Sequence, residues 1–180
     1  MKRSLILSVL AVVAAVVLTS CADQGIEPSI APSQQFMQIP SDSPMAVGLA
    51  KDGPGKKVNA GTTILVSAEA GGVVNCGRYT VVFPAGALSE DTEITVRACE
   101  EKRLVSCELL PHGITFNVPA QLLIDLTYTT ASPTDDATVY WYNESMGVWQ
   151  DVGGTLDPTT MILSTDLGHF SQYVAGRAGW

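Results

Sequence analysis

His169-Phe170-Ser171, set in GHFSQY at residues 168–173, puts an imidazole and a hydroxyl on either side of a single peptide bond. Two roles fit such a triplet. One is a place where the chain cuts itself. The other is the last strand of a folded module, in which Phe170 fills a core while His169 and Ser171 lie on the opposite face and bond to neighbours. Other chemistry-bearing residues are sparse. There is no nucleophile elbow, no HExxH, no phosphate-cradling glycine loop and no paired-carboxylate motif in a recognisable setting. Neither His112 nor His169 has zinc-finger spacing to Cys76, Cys99 and Cys107, so no metal site is expected. Glu90-Asp91 and Asp135-Asp136 read as solvated loops. The expectation is a protein that is not an enzyme and carries no cofactor.

These residues need an element to hold them, and the first 20 positions do not supply it. Lys2-Arg3 followed by the apolar run Leu5–Leu18 is a charged region and a hydrophobic region too short to span a bilayer comfortably, which is a secretion signal. Leu18-Thr19-Ser20-Cys21 resembles a bacterial lipobox, in which the Cys is lipidated and becomes the new N-terminus. That resemblance implies a covalent lipid on Cys21, palmitate among its acyl chains, and a membrane partner reached through the anchor. In a two-membrane envelope, Ala22 after the Cys implies sorting to the outer membrane. Two or three acyl chains anchor stably, since each buried CH₂ contributes about 0.8 kcal/mol.

Loss of the signal removes Lys2 and Arg3 and deepens the formal net charge of −8. Nucleic acid is therefore not an expected partner, because it requires a basic footprint. Residues 21–60 then form the lipidated Cys and a tether. They are rich in Pro, Gly, Ser, Gln and Asp and lack a sustained period of two or 3.6, so they bury too little to offset their ordering entropy.

From residue 61 to 180 the texture changes to short β-branched and aromatic runs separated by Gly, Pro, Asp and Asn. This predicts an all-β fold, an antiparallel β-sandwich of short strands. Strands are expected near 62–67, 78–83, 93–99, 104–109, 121–128, 138–143, 147–151, 161–164 and 169–175. Tyr79, Val81 and Phe83 should share one face, and Leu122, Ile124 and Leu126 another. Export permits disulfides. A hairpin joining the strands that end in Cys99 and begin before Cys107 would set those two thiols opposite each other, with Cys76 pairing to one of them as the alternative. Trp141 and Trp149 flank a tight Asn143–Gly147 hairpin, which favours core packing over a sugar-stacking platform.

Several pieces in fixed order carry a resemblance. Gly71-Gly72-Val73, Tyr79-Thr80-Val81, Phe83-Pro84-Ala85-Gly86-Ala87-Leu88, Thr92-Glu93-Ile94-Thr95-Val96 and Pro111-His112-Gly113-Ile114-Thr115-Phe116 are similar to the ZU-five domain. This is the β-sandwich module of zonula occludens proteins, netrin receptors and ankyrins. Val139-Tyr140-Trp141-Tyr142, Gly147-Val148-Trp149 and His169-Phe170-Ser171-Gln172-Tyr173 resemble the segment that follows it in bacterial versions, and the whole likeness covers about residues 64–176. It implies a non-catalytic interaction or structural module in the cell envelope, facing an unidentified envelope protein or glycan. It also implies a rival. In some eukaryotic relatives His-Phe-Ser at this place is self-cleaving, with Ser171 as nucleophile, His169 as base and the Phe170 carbonyl as the scissile group. That chemistry needs a strained peptide and a donor for the oxyanion. A third reading is a carbohydrate-binding surface built on Tyr140, Tyr142 and their neighbours.

Overall fold

The computed structural model describes residues 46–50, 60–100 and 103–179. The expected signal at 1–20, Cys21 and most of the expected tether lie outside the described residues. The described chain is all-β: β1 (Gly61–Val66), β2 (Gly72–Cys76), β3 (Tyr79–Phe83), β4 (Thr92–Ala98), β5 (Ser106–Leu110), β6 (Thr115–Asp125), β7 (Ala137–Asn143), β8 (Val148–Gly153), β9 (Thr155–Asp157), β10 (Ile162–His169) and β11 (Gln172–Arg177). They form two antiparallel sheets packed as a sandwich. One runs β1-β4-β5-β11-β7-β8 and the other β2-β3-β6-β10-β9.

The layers follow from side-chain alternation. In β3, Tyr79, Val81 and Phe83 are buried while Thr80 and Val82 are only partly so. In β6, Leu122 and Ile124 point inward. Ile94, Val96 and Ala98 of β4, with Cys107 and Leu109 of β5, meet them from the other sheet to make one core. Each large aliphatic side chain so buried contributes about 1.5–3 kcal/mol. The chain reaches β2 through Gly71, whose φ of +73° suits glycine; a Cβ there would collide with the Phe83 carbonyl and Pro84.

Four expectations change. β2 and β9 are strands that the sequence did not announce. Residues 46–50, assigned to the tether, belong to the sandwich: Val47 is fully buried, its N–H donates to Ala175 O, and its carbonyl accepts from Val105 N–H. They join by isolated bridges, Ala46 to Gly176, Gly48 to Leu104 and Leu49 to Thr129, which leave no periodic trace in a sequence. The expected final strand at 169–175 is two strands. His169 ends β10 in one sheet, Gln172 begins β11 in the other, and Phe170-Ser171 is the link between sheets.

The thiols also differ from expectation. Ala98, not Cys99, stands opposite Cys107, and Cys99 N–H bonds to Ser106 O. A one-residue offset puts Cys99 and Cys107 on opposite faces of their sheet. Among the described residues no disulfide joins Cys76, Cys99 and Cys107.

Candidate functional site

Phe170 is anchored in the core, 2% exposed, with its ring edge-on to Phe83 at 5.8 Å and to Phe116 at 5.0 Å. Its backbone is held just as firmly. Phe170 N–H donates to Ile114 O at 3.3 Å, and Gly113 N–H donates to Phe170 O at 3.4 Å. Gly113 reaches this position with φ +76°, a turn conformation that glycine adopts without penalty. The next peptide is fixed too, since Ser171 O accepts from Leu109 N–H at 3.0 Å.

The two flanking side chains turn to different neighbours. His169 lies edge-on to Trp141, ring centres 4.6 Å apart. Its Nδ1 is 3.4 Å from the Tyr173 hydroxyl, which donates to His169 O at 2.7 Å. Burial, then the nearby Cys107, pushes the Tyr173 hydroxyl pKa far up, so it stays a donor. Ser171 Oγ instead donates to Tyr142 O at 3.4 Å. The sequence motif is thus brought together as backbone, but its imidazole and hydroxyl are engaged separately.

Beside the motif lies an open cleft of about 390 Å³ between the His112-Gly113 turn and the Asn143–Ser145 turn. Trp141, His169 and Phe170 line it, and His112, Asn143 and Glu144 give it polar groups. Tyr140 and Tyr142 do not form an exposed platform; they are 2% and 9% exposed, and the Tyr140 hydroxyl donates to Arg177 O at 2.8 Å. Trp141 and Trp149 are partly buried and pack against the core clusters, as expected.

Below the His112 turn sits a buried charge. Glu108, 2% exposed, accepts from Arg97 through Oε2 at 2.8 Å, and its Oε1 lies 3.5 Å from His112 Nε2. A protonated His112 would complete the pair. Glu108 faces Gln172 across the β5–β11 ladder.

A second polar knot escaped the sequence reading altogether. Glu100, 4% exposed, accepts from Arg78 Nε at 2.8 Å and from the Tyr79 hydroxyl at 3.0 Å. Arg78 also donates to the carbonyls of Asp125 and Thr127. Burial chiefly, then Cys107 and Glu100, holds the Tyr79 pKa well above its usual value; burial and the neighbouring thiols of Cys99 and Cys76 do the same for Cys107.

The acidic loops are solvent-exposed at Glu90, Asp91 and Asp136, as expected, and two of their carboxylates also hold local structure. Asp135 pairs with Arg177 at 2.9 Å and caps Ser132 N–H, and Asp91 accepts from Ala68 N–H at 2.8 Å. Among the described residues no group of three or more His, Cys, Asp or Glu is placed to hold a metal ion. No protein-family model matches the chain, and no curated protein matches it either.

Proposed function

We propose that the protein is an exported lipoprotein, held in a membrane by lipid on Cys21, whose ZU-five-like sandwich works by contact with an envelope protein or glycan and not by turnover. The observation that carries this reading is the separate engagement of the motif's side chains. His169 is occupied by Trp141 and Tyr173, Phe170 by the core, and Ser171 by the Tyr142 carbonyl. Groups of the type that would do chemistry serve here to join two sheets. The adjoining cleft, with its aromatic wall and polar groups, has the character of a contact surface.

Two experiments test it. Metabolic labelling with a palmitate analogue should mark the wild type and not Cys21→Ser; equal labelling of both removes the anchor. A photo-crosslinking residue at Ser145, on the cleft, should capture one envelope protein or glycan that the same residue at Thr159 does not. Identical products from both positions would sink the contact reading.

One observation favours self-processing as the second reading. The Gly113 N–H already points at the Phe170 carbonyl oxygen, where a donor to an oxyanion is required. Ser171 Oγ would add to that carbonyl carbon as His169 takes its proton, the C–N bond would break as His169 returns that proton to the Ser171 nitrogen, and water would hydrolyse the resulting ester. His169 would first have to leave Tyr173.

A further inference from the structure

We propose that the chain pairs with a second copy of itself through β1, edge to edge, extending the six-stranded sheet across a two-fold axis centred on Thr63. This inference rests on β1 alone and holds whether or not the cleft at Phe170 has an occupant.

β1 is an outer strand of its sheet and, among the described residues, is paired only with β4. Exposed edges usually carry guards: charges, a proline, a bulge or extreme shortness. Two of the other three sheet edges have them, for β8 carries Asp151 and lies across an irregular register from β7, while β9 is three residues long and bears Asp157; the remaining edge, β2, is uncharged like β1 but one residue shorter. β1, GTTILV, has no charge, no proline and an unbroken register with β4 from Gly61 opposite Arg97 to Val66 opposite Thr92. It also leaves Ile64 and Leu65 exposed, at 41% and 63%.

The free backbone groups define how a partner must sit. Ala98 N–H bonds to Ala60 O, and Ala60 precedes the first registered pair, Gly61 with Arg97. Bonded pairs alternate along an antiparallel ladder, so Thr62, Ile64 and Val66 turn their N–H and C=O toward β4, while Gly61, Thr63 and Leu65 turn theirs outward. An antiparallel copy placed with Thr63 opposite Thr63 sets Gly61 opposite Leu65 and satisfies all the outward groups of these three residues, forming about six backbone bonds.

Side chains on that register are self-complementary. On the outer face Thr63 Oγ1 and Thr95 Oγ1 are 2.7 Å apart, and the two-fold turns this pair into a ladder of four threonines. Leu65 of each copy covers the bare backbone of Gly61 in the other. Glu93 stands beside Leu65 and Arg97 beside Gly61, so each row ends in opposite charges. A parallel partner would align Glu93 with Glu93. These charges lie three strand spacings apart, roughly 14 Å, so they only permit the antiparallel arrangement; the backbone bonds and the threonine ladder are what select a second copy in this register, even though each chain carries a net charge of −8.

The test uses protein isolated in mild detergent from cells expressing all 180 residues. Sedimentation over a dilution series should show a monomer–dimer equilibrium. Thr63→Pro removes an outward N–H and none that bonds to β4, so it should keep the near-ultraviolet dichroism of the fold while weakening the dimer at least about tenfold. In a separate measurement that does not depend on that variant folding, Thr63→Cys should oxidise to a covalent dimer, since facing Cα atoms about 5.5 Å apart suit a disulfide. Thr62→Cys, whose opposite residue is Ile64, should give no more covalent dimer than the wild type. A monomer at every concentration overturns the proposal, as does a dimer in which Thr63→Cys forms no more disulfide than Thr62→Cys.

Discussion

The Gly113 N–H sits 3.4 Å from the Phe170 carbonyl oxygen, tying the turn before β6 to the link between β10 and β11. The bond has two consequences at once. It holds the connection between sheets, and it places a donor at the one carbonyl where self-cleavage would build negative charge.

Intact mass under denaturing, non-reducing conditions separates these. With His169 and Ser171 engaged elsewhere, the wild type and Ser171→Ala should each give one mass, uncut between Phe170 and Ser171. A wild-type spectrum split at that bond, absent from Ser171→Ala, would move the assignment to self-processing.

Phe170→Ala should cost about 3–5 kcal/mol, because it empties a fully packed site against Phe83 and Phe116. Denaturant unfolding monitored by tryptophan fluorescence reads this. Ser171→Ala, which loses one hydrogen bond of 3.4 Å, should cost under about 1 kcal/mol. Equal costs for the two would mean that Phe170 is not a core side chain.

Arg78→Ala should be more damaging than Glu100→Gln. Removing the guanidinium leaves the Glu100 carboxylate buried with, among the described residues, only the Tyr79 hydroxyl, an effect on the order of 3 kcal/mol. Glu100→Gln leaves Arg78 its bonds to Asp125 O and Thr127 O and keeps an acceptor for Tyr79. A reversed order of melting temperatures would discredit the buried knot.

Alkaline pH should destabilise the fold. Tyr79, Tyr173 and Cys107 all have their pKa values raised by burial, from ordinary values of 10.0 for the tyrosines and 9.0 for the thiol. Each is kept protonated by folding and released in the unfolded chain, so the stabilisation is complete below about pH 9 and is lost as pH climbs above that. Melting temperature should be level near pH 8 and fall between about pH 9 and 11. Tyr173→Phe, with one fewer buried acid, should fall less steeply. A flat profile through pH 11 would contradict the burial of these groups.

The parts of this fold that are legible in the sequence are those where one face alone meets the core. YTVVF and QLLID announce their strands because Tyr79, Val81, Phe83, Leu122 and Ile124 recur every second residue. GVVNC is opaque because glycine and asparagine dilute the signal, and TLD is too short to carry any period. The division of HFSQYVA between two sheets has no local mark, since strand propensity is continuous through a crossing that only long-range packing dictates. The thiol pairing erred by a single position of register, enough to reverse a face. Of the candidate site, the motif and the Gly113 turn were visible. The donors and acceptors around them, Gly113 N–H to Phe170 O and Ser171 Oγ to Tyr142 O, depend on contacts between distant segments and were not.

The place of β11 makes the protein divisible. It lies between β5 and β7, and Gln172 through Gly176 are all buried. A break in the Phe170–Ser171 link would therefore release nothing under native conditions: the terminal peptide would stay clamped by backbone bonds on both sides. The same geometry leaves a chain ending at Phe170 with a vacant slot in the middle of its larger sheet. A synthetic peptide of residues 171–180, added in trans, is the piece that fills it, so this molecule is a natural starting point for a split pair that reassembles by inserting one strand.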